Sequence, residues 1–188
     1  LLLEGSTQNE EGIFWIESEE MMDESELGTE VVRLHLSHGQ ASKIMVLTKL
    51  VENGFQEAEP TLRSAVNFLL AQENEDKTRA YIGSEIADGQ LKDYAHLGWS
   101  RGNISIAVVL SHTAKVLGDD DLLQKAIKIG KHTLRHKDTD SAGITDFAFC
   151  HGQAGLSHLY HRLFQNTQVN EFQSQAESWM DKTLDRAN

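Results

Sequence analysis

The chain has 188 residues, 39% of them hydrophobic, enough for the core of one ordinary domain and too few for two large ones. A formal charge of −12 and a pI near 5.1 would repel a phosphate backbone over most of the surface, which excludes nucleic acid as an expected partner. A single cysteine, Cys150, excludes an internal disulfide framework, and no apolar run reaches the roughly 18 residues that a transmembrane segment needs; the expectation is a soluble protein of the cytoplasm.

Taken in chain order, the first residues, Leu1-Leu2-Leu3-Glu4-Gly5, carry no initiator Met, no basic region and no sustained apolar stretch of a signal peptide, so the sequence reads as starting inside something longer. The acidic run from Glu17 to Glu26 reads as a solvated loop. Next comes Leu36-Ser37-His38-Gly39-Gln40-Ala41-Ser42, followed by apolar residues at helical spacing from Lys43 to Val51, a stop at Gly54, and a second amphipathic helix from Pro60 to Ala71. Pro60 stands at a helix start, where its missing N–H costs nothing. It is the only proline, which favours an all-α chain.

The same arrangement then recurs twice. Trp99-Ser100-Arg101-Gly102-Asn103-Ile104-Ser105 opens a helix from Ile106 to Leu117 that stops at Gly118-Asp119, and a partner helix runs from Asp121 to Leu134. Phe149-Cys150-His151-Gly152-Gln153-Ala154-Gly155 opens a helix from Leu156 to Phe164, which meets the polar Gln165-Asn166-Thr167 before a partner helix from Glu171 to Leu184. The intervening stretches, Gln72 to His96 and Arg135 to Thr145, are polar and poorly periodic and read as loops. The repeat unit is an α-hairpin entered through a glycine turn, and such hairpins stack into an open solenoid or a closed ring. In a ring with the first helices inside, the three polar turns converge at one end of the axis, where helix dipoles also end.

Thiolate and imidazole are preferred zinc ligands, which makes Cys150-His151 the sharpest chemical pair, with a glycine behind it to free the turn. The bland alternative is a small buried thiol beside a packing histidine. His38 shares the repeat position of His151 and suits proton transfer near neutral pH, or else simply packs at a helix start. His35, His96, His112, His132, His136, His158 and His161 read as surface or packing residues. By bulk, Trp99 and Phe149 wall the core.

In that order, Ser37-His38-Gly39, Trp99-Ser100-Arg101-Gly102 and Cys150-His151-Gly152-Gln153-Ala154-Gly155 resemble three successive signature turns of the lanthionine synthetase C-like family. The resemblance runs from about Arg33 to Leu163 and implies an α/α toroid, seven-hairpinned in the family. Residues 1–188 would then be one partial domain with hairpins at about 36–71, 99–134 and 149–184, lacking the early hairpins and the last. It further implies one zinc ion on Cys150 and His151, activating a peptide cysteine that adds to a dehydroalanine or dehydrobutyrine, with His38 as the acid/base. Ser100 stands where the family has its other cysteine ligand, a degenerate position, and Arg101 stands where it has tyrosine. Trp99, Arg101 and His96 surround that turn as substrate contacts, with His96 also able to stand in as a ligand. The implied substrate is a dehydrated precursor peptide and the implied partner a lanthipeptide dehydratase. Addition of a free thiol such as glutathione is a variant of the same chemistry. The other classes are a peptide-binding helical scaffold without chemistry and a carbohydrate-active α/α toroid, for which Asp88, Asp93 and Asp146 are the available carboxylates.

Overall fold

The computed structural model describes residues 3–22, 24–78, 80–92, 97–144 and 146–187. They form two compact units, Leu1–Tyr94 and Ala95–Asn188, each with its own core.

In the first unit the chain opens with an antiparallel hairpin, β1 (Ser6–Gln8) and β2 (Ile13–Trp15). The Asn9 side chain shapes its turn by accepting the N–H groups of Glu11 and Gly12 at 3.0 and 3.1 Å. The hairpin delivers Phe14 onto Phe68, ring centroids 4.5 Å apart. A second sheet is formed by β3 (Val31–Arg33), β4 (Glu85–Ala87) and β5 (Gln90–Lys92), all antiparallel, β4 in the middle. The stretch from Gln72 to His96, expected as loop, therefore contains two strands. Each is only three residues long, too short to show an alternating pattern. The acidic run corrects in the same way. Arg33 gathers Glu26 at 2.7 Å, Glu85 at 2.9 Å and Glu17 at 3.3 Å, so that two acids of the supposed solvated loop are held against a largely buried guanidinium. Those carboxylates outweigh the desolvation of Arg33 and raise its pKa further.

Helices α1 (Gln40–Glu52) and α2 (Glu59–Ala71) make the first hairpin. Pro60 lies in the first turn of α2, as the sequence implies, and the chain leaves α1 through Asn53 and Gly54, whose φ is 93°. Ile44, Leu47 and Val51 of α1 and Leu62, Ala65 and Leu69 of α2 are buried, the spacing of one helix face each.

The second unit contains α3 (Asn103–Leu117), α4 (Asp120–Thr133), the short α5 (Thr139–Ala142), α6 (Gln153–Thr167) and α7 (Asn170–Ala187). Helix α3 packs on α4 and α6, and α6 on α7. Every residue from Asn103 to Ser111 is buried, which is why the start of α3 reads apolar all round rather than along one stripe. Gly118, with φ 62° and ψ 35°, ends α3 in the left-handed cap that favours glycine, and Asp119 caps α4 by accepting the Leu122 N–H at 2.9 Å. Helix α6 runs on through the polar Gln165-Asn166-Thr167 to a left-handed Gln168 instead of stopping before them. Polar residues end no helix when their side chains find partners: Asn166 donates to Ser111 Oγ of α3 at 2.9 Å and Thr167 Oγ1 to the Leu163 carbonyl at 2.7 Å. Among the described residues no helix is long and apolar enough to cross a membrane.

Candidate functional site

The three glycine turns do become helix entrances, since Gly39, Gly102 and Gly152 are the N-cap residues of α1, α3 and α6. Their amides serve the fold. Gln40 Nε2 donates to the Ile13 carbonyl at 2.7 Å and to the Ala65 carbonyl at 3.3 Å, tying the start of α1 to β2 and α2. Asn103 and Gln153 are likewise buried. The last residue of the motif closes the turn: Ser42 and Ser105 donate to the carbonyls of Gly39 and Gly102 at 2.7 and 2.8 Å. Gly155 takes that place in the third turn because a Cβ there would run into the Phe149 carbonyl.

The second and third turns, both in the second unit, lie against each other. Ser100 N–H donates to the Cys150 carbonyl at 3.3 Å, and a Cβ on Gly98 would stand 3.5 Å from that carbonyl and 3.8 Å from His151 Cα. Side chains meet as well as backbones. Ser100 Oγ is 2.9 Å from His151 Nδ1, and Ser100 is only 3% exposed. Cys150 and His151 are exposed, immediately ahead of the positive end of α6. Asp146 organises this loop. Its Oδ1 accepts the Ala148 N–H at 2.8 Å and its backbone carbonyl accepts the Gln153 N–H at 3.2 Å. The sequence signal for that turn is an Asp two residues before the small Ala148, a pattern in which the carboxylate closes its own turn.

Around the pair lie aromatic rings. Trp99 is half-buried, with its ring centroid 6.1 Å from that of Phe149; Phe149 in turn sits 5.3 Å from the ring of His158. Phe149 is 48% exposed, so the expectation that it walls the core is corrected: it leans on Trp99 and His158 at the surface. Burial, with help from Arg162 and His161, pushes the His158 pKa below that of a free imidazole.

The remaining candidates are dispersed. Arg101 is exposed. His38 belongs to the first unit, exposed, with its carbonyl accepting Lys43 Nζ at 2.6 Å. His96 and Asp93 lie outside the described residues. Of the carboxylates for a glycosidase-type site, Asp88 sits in the β4–β5 turn and Asp146 is occupied in its own loop.

Whether these residues suit the zinc ion implied by the resemblance is a question of position and of donor type. Two ligand atoms on one tetrahedral zinc stand about 3.3 Å apart for oxygen and nitrogen, so the separation of Ser100 Oγ and His151 Nδ1, 2.9 Å, is near that of co-ligands. The donors do not match. A hydroxyl keeps its proton far above the pH at which a thiol ionises, and here it already engages the imidazole nitrogen that faces it. Among the described residues no group of three or more His, Cys, Asp and Glu is arranged to hold a metal ion. Among the described residues the donor set does not fit the ion.

Comparison with known proteins converges on one group. A family model described as "Lanthionine synthetase C-like protein" matches residues 3–188. Among solved structures, nisin cyclase aligns with a TM-score of 0.67 at 19% identity, over 83% of this chain and 41% of that one. At that identity the likeness establishes a shared fold, and it bears out the all-α class expected from the repeated turns and the α/α toroid that the resemblance implied. The chain spans about two fifths of nisin cyclase. No curated protein sequence matches it significantly.

Proposed function

Because the chain belongs to the lanthionine synthetase C-like family, we propose that it works in peptide modification, closing thioether rings in a dehydrated precursor peptide where its second and third glycine turns meet. The observation that carries this reading is the contact of Ser100 Oγ with His151 Nδ1 at 2.9 Å, a polar pair beside the exposed Cys150 at the entrance of α6. Likeness in fold to a protein named as a cyclase supports it.

The reaction is an isomerisation of the peptide. The sulfur of a peptide cysteine bonds to the β-carbon of a dehydroalanine or dehydrobutyrine, the π pair moves to the α-carbon as an enolate, and a proton arrives there in place of the one the thiol lost. His151 takes the thiol proton. With Ser100 Oγ accepting from Nδ1–H, Nε2 is the ring nitrogen whose lone pair is left for a substrate. The imidazolium formed on His151 is the proton source at hand for the enolate, His38 being assigned an acid/base role by the resemblance alone, and Trp99, Arg101 and His96 are assigned to hold the peptide. A dehydratase acting on serine and threonine must supply such a substrate and is the partner class this reading requires.

Ring closure leaves peptide mass unchanged and removes one thiol per ring, so alkylation followed by mass spectrometry reads it directly. Incubating the whole protein with a dehydrated, cysteine-containing precursor should protect thiols from alkylation, and His151→Ala, with parental helicity by circular dichroism, should lose that protection. Complete alkylation after incubation with the parent would overturn the proposal.

A further inference from the structure

We infer that Ser100 and His151 work as a metal-free hydroxyl–imidazole pair, close to but short of the spacing of zinc co-ligands, and that replacing one oxygen by sulfur at position 100 would turn the pair into a zinc site. This rests on reading the two turns as the reactive region.

The turns hold together by contacts that involve no ion. Ser100 N–H bonds the Cys150 carbonyl, Gly98 lies against Cys150 and His151, Trp99 leans on Phe149, and Asp146 fixes the loop that leads to Cys150. The organising work of a structural metal is thus already supplied by hydrogen bonds and packing. Ser100 is 3% exposed, so its hydroxyl finds its partner in His151 rather than in bulk water. A thiolate sulfur and an imidazole nitrogen sharing a tetrahedral zinc stand about 3.5 Å apart, roughly half an ångström wider than the present 2.9 Å. The longer C–S bond and a small side-chain rotation supply that difference. Cys150 is the exposed neighbour of His151 in the chain, and its thiol is taken as the third donor, so that a thiol at position 100 would make up two sulfurs and one nitrogen with a fourth position left for a substrate.

The test is zinc content of the whole protein, by elemental analysis after equilibration with zinc and desalting, for the parent, Cys150→Ala, Ser100→Cys, and Ser100→Cys combined with Cys150→Ala. The expected result is far less than stoichiometric zinc in the parent, close to one zinc per chain in Ser100→Cys, and loss again in the double variant. Cobalt(II) added to Ser100→Cys should give a thiolate charge-transfer band absent from the parent. Stoichiometric zinc in the parent that disappears with Cys150→Ala would overturn the inference, as would a folded Ser100→Cys variant that takes up none. Should Ser100→Cys fail to fold, the nitrogen NMR shifts of His151 in the parent decide: unmoved by added zinc they support the metal-free pair, and shifted by it they refute it. A zinc-loaded parent that closes rings defeats only this inference, whereas a zinc-free parent that leaves every thiol free defeats only the proposed function.

Discussion

Gly152 has a φ of −115°, a value any residue adopts, so its role is not the backbone freedom that an adjacent pair of metal ligands suggests. It is a matter of space: a Cβ at this position would collide with Asp146 Oδ1 and with the Ala148 backbone, and one at Gly39 would collide with the Arg33 and His35 carbonyls. Gly152→Ala should therefore destabilise the protein by about 3 kcal/mol, in the range of overpacked buried sites. A urea midpoint equal to that of the parent would show that the loop yields. Gln40 makes a complementary case. Its amide donates to two backbone carbonyls, and Gln40→Ala should cost about 2 kcal/mol by removing both of these buried hydrogen bonds. Gln40→Glu should fare no better, since a carboxylate cannot donate to either carbonyl, and comparing the two urea midpoints separates lost hydrogen bonds from lost volume.

Between elements, charge decides more than the composition suggests. Arg33 on β3 draws together β4 through Glu85 and the preceding acidic segment through Glu17 and Glu26. Arg33→Met would leave three carboxylates crowded without their cation, and a loss of about 3 kcal/mol is expected, as for other partly buried ion clusters broken from one side. Chemical denaturation followed at low and high salt checks this, because the loss should shrink when salt screens the crowded acids. The joint between α4 and α5 titrates in the opposite sense. His136 presents Nε2 to the Arg135 guanidinium at 3.0 Å and its Nδ1–H to the Ser141 carbonyl, a neutral tautomer fixed on both sides. Burial first, then Arg135 and His132, lower its pKa below that of a free imidazole, despite the opposing pull of the Ser141 carbonyl and Asp138. A folded-state pKa below the unfolded one means that stability is present above pH about 6.5 and declines as the pH falls through that value toward the folded pKa. His136→Gln should flatten the decline between pH 7 and 5, measured as urea midpoints across that range.

For the molecule as a whole, the helical hairpins were legible because each carries its own punctuation: a glycine turn at the entrance, three- and four-residue apolar spacing, and a glycine or aspartate at the first two exits. The five strands were not, because three-residue strands have no periodicity, and two of them sit in a polar stretch that reads as loop. At the site, the repeat located Ser100, Cys150 and His151 correctly as turn residues. It could not announce that Ser100 bonds His151, since the repeat aligns Ser100 with Cys150 and the two partners lie 51 residues apart. Sequence similarity between turns reports equivalent backbone positions, while chemistry depends on which side chains of neighbouring turns face each other.

The second unit offers the sharpest test at this scale, because its core is complete in kind. Ile104, Ile106, Tyr160, Phe172 and Trp179 are fully or almost fully buried, Tyr160 OH meets Thr133 Oγ1 at 2.9 Å, and Ser157 donates to the Ala176 carbonyl at 2.9 Å across α6 and α7. A chain of residues 95–188 should therefore fold by itself, with helical circular dichroism and a cooperative urea transition reported by Trp179. Its own pair of packed hairpins supplies the burial that makes such a transition cooperative. Phe172→Ala should then lower the midpoint by the equivalent of about 4 kcal/mol, because the ring fills the space against Gly130 where α4 approaches α7. A broad, non-cooperative transition in the parent piece would instead mean that the buried aromatic core is insufficient without the first unit.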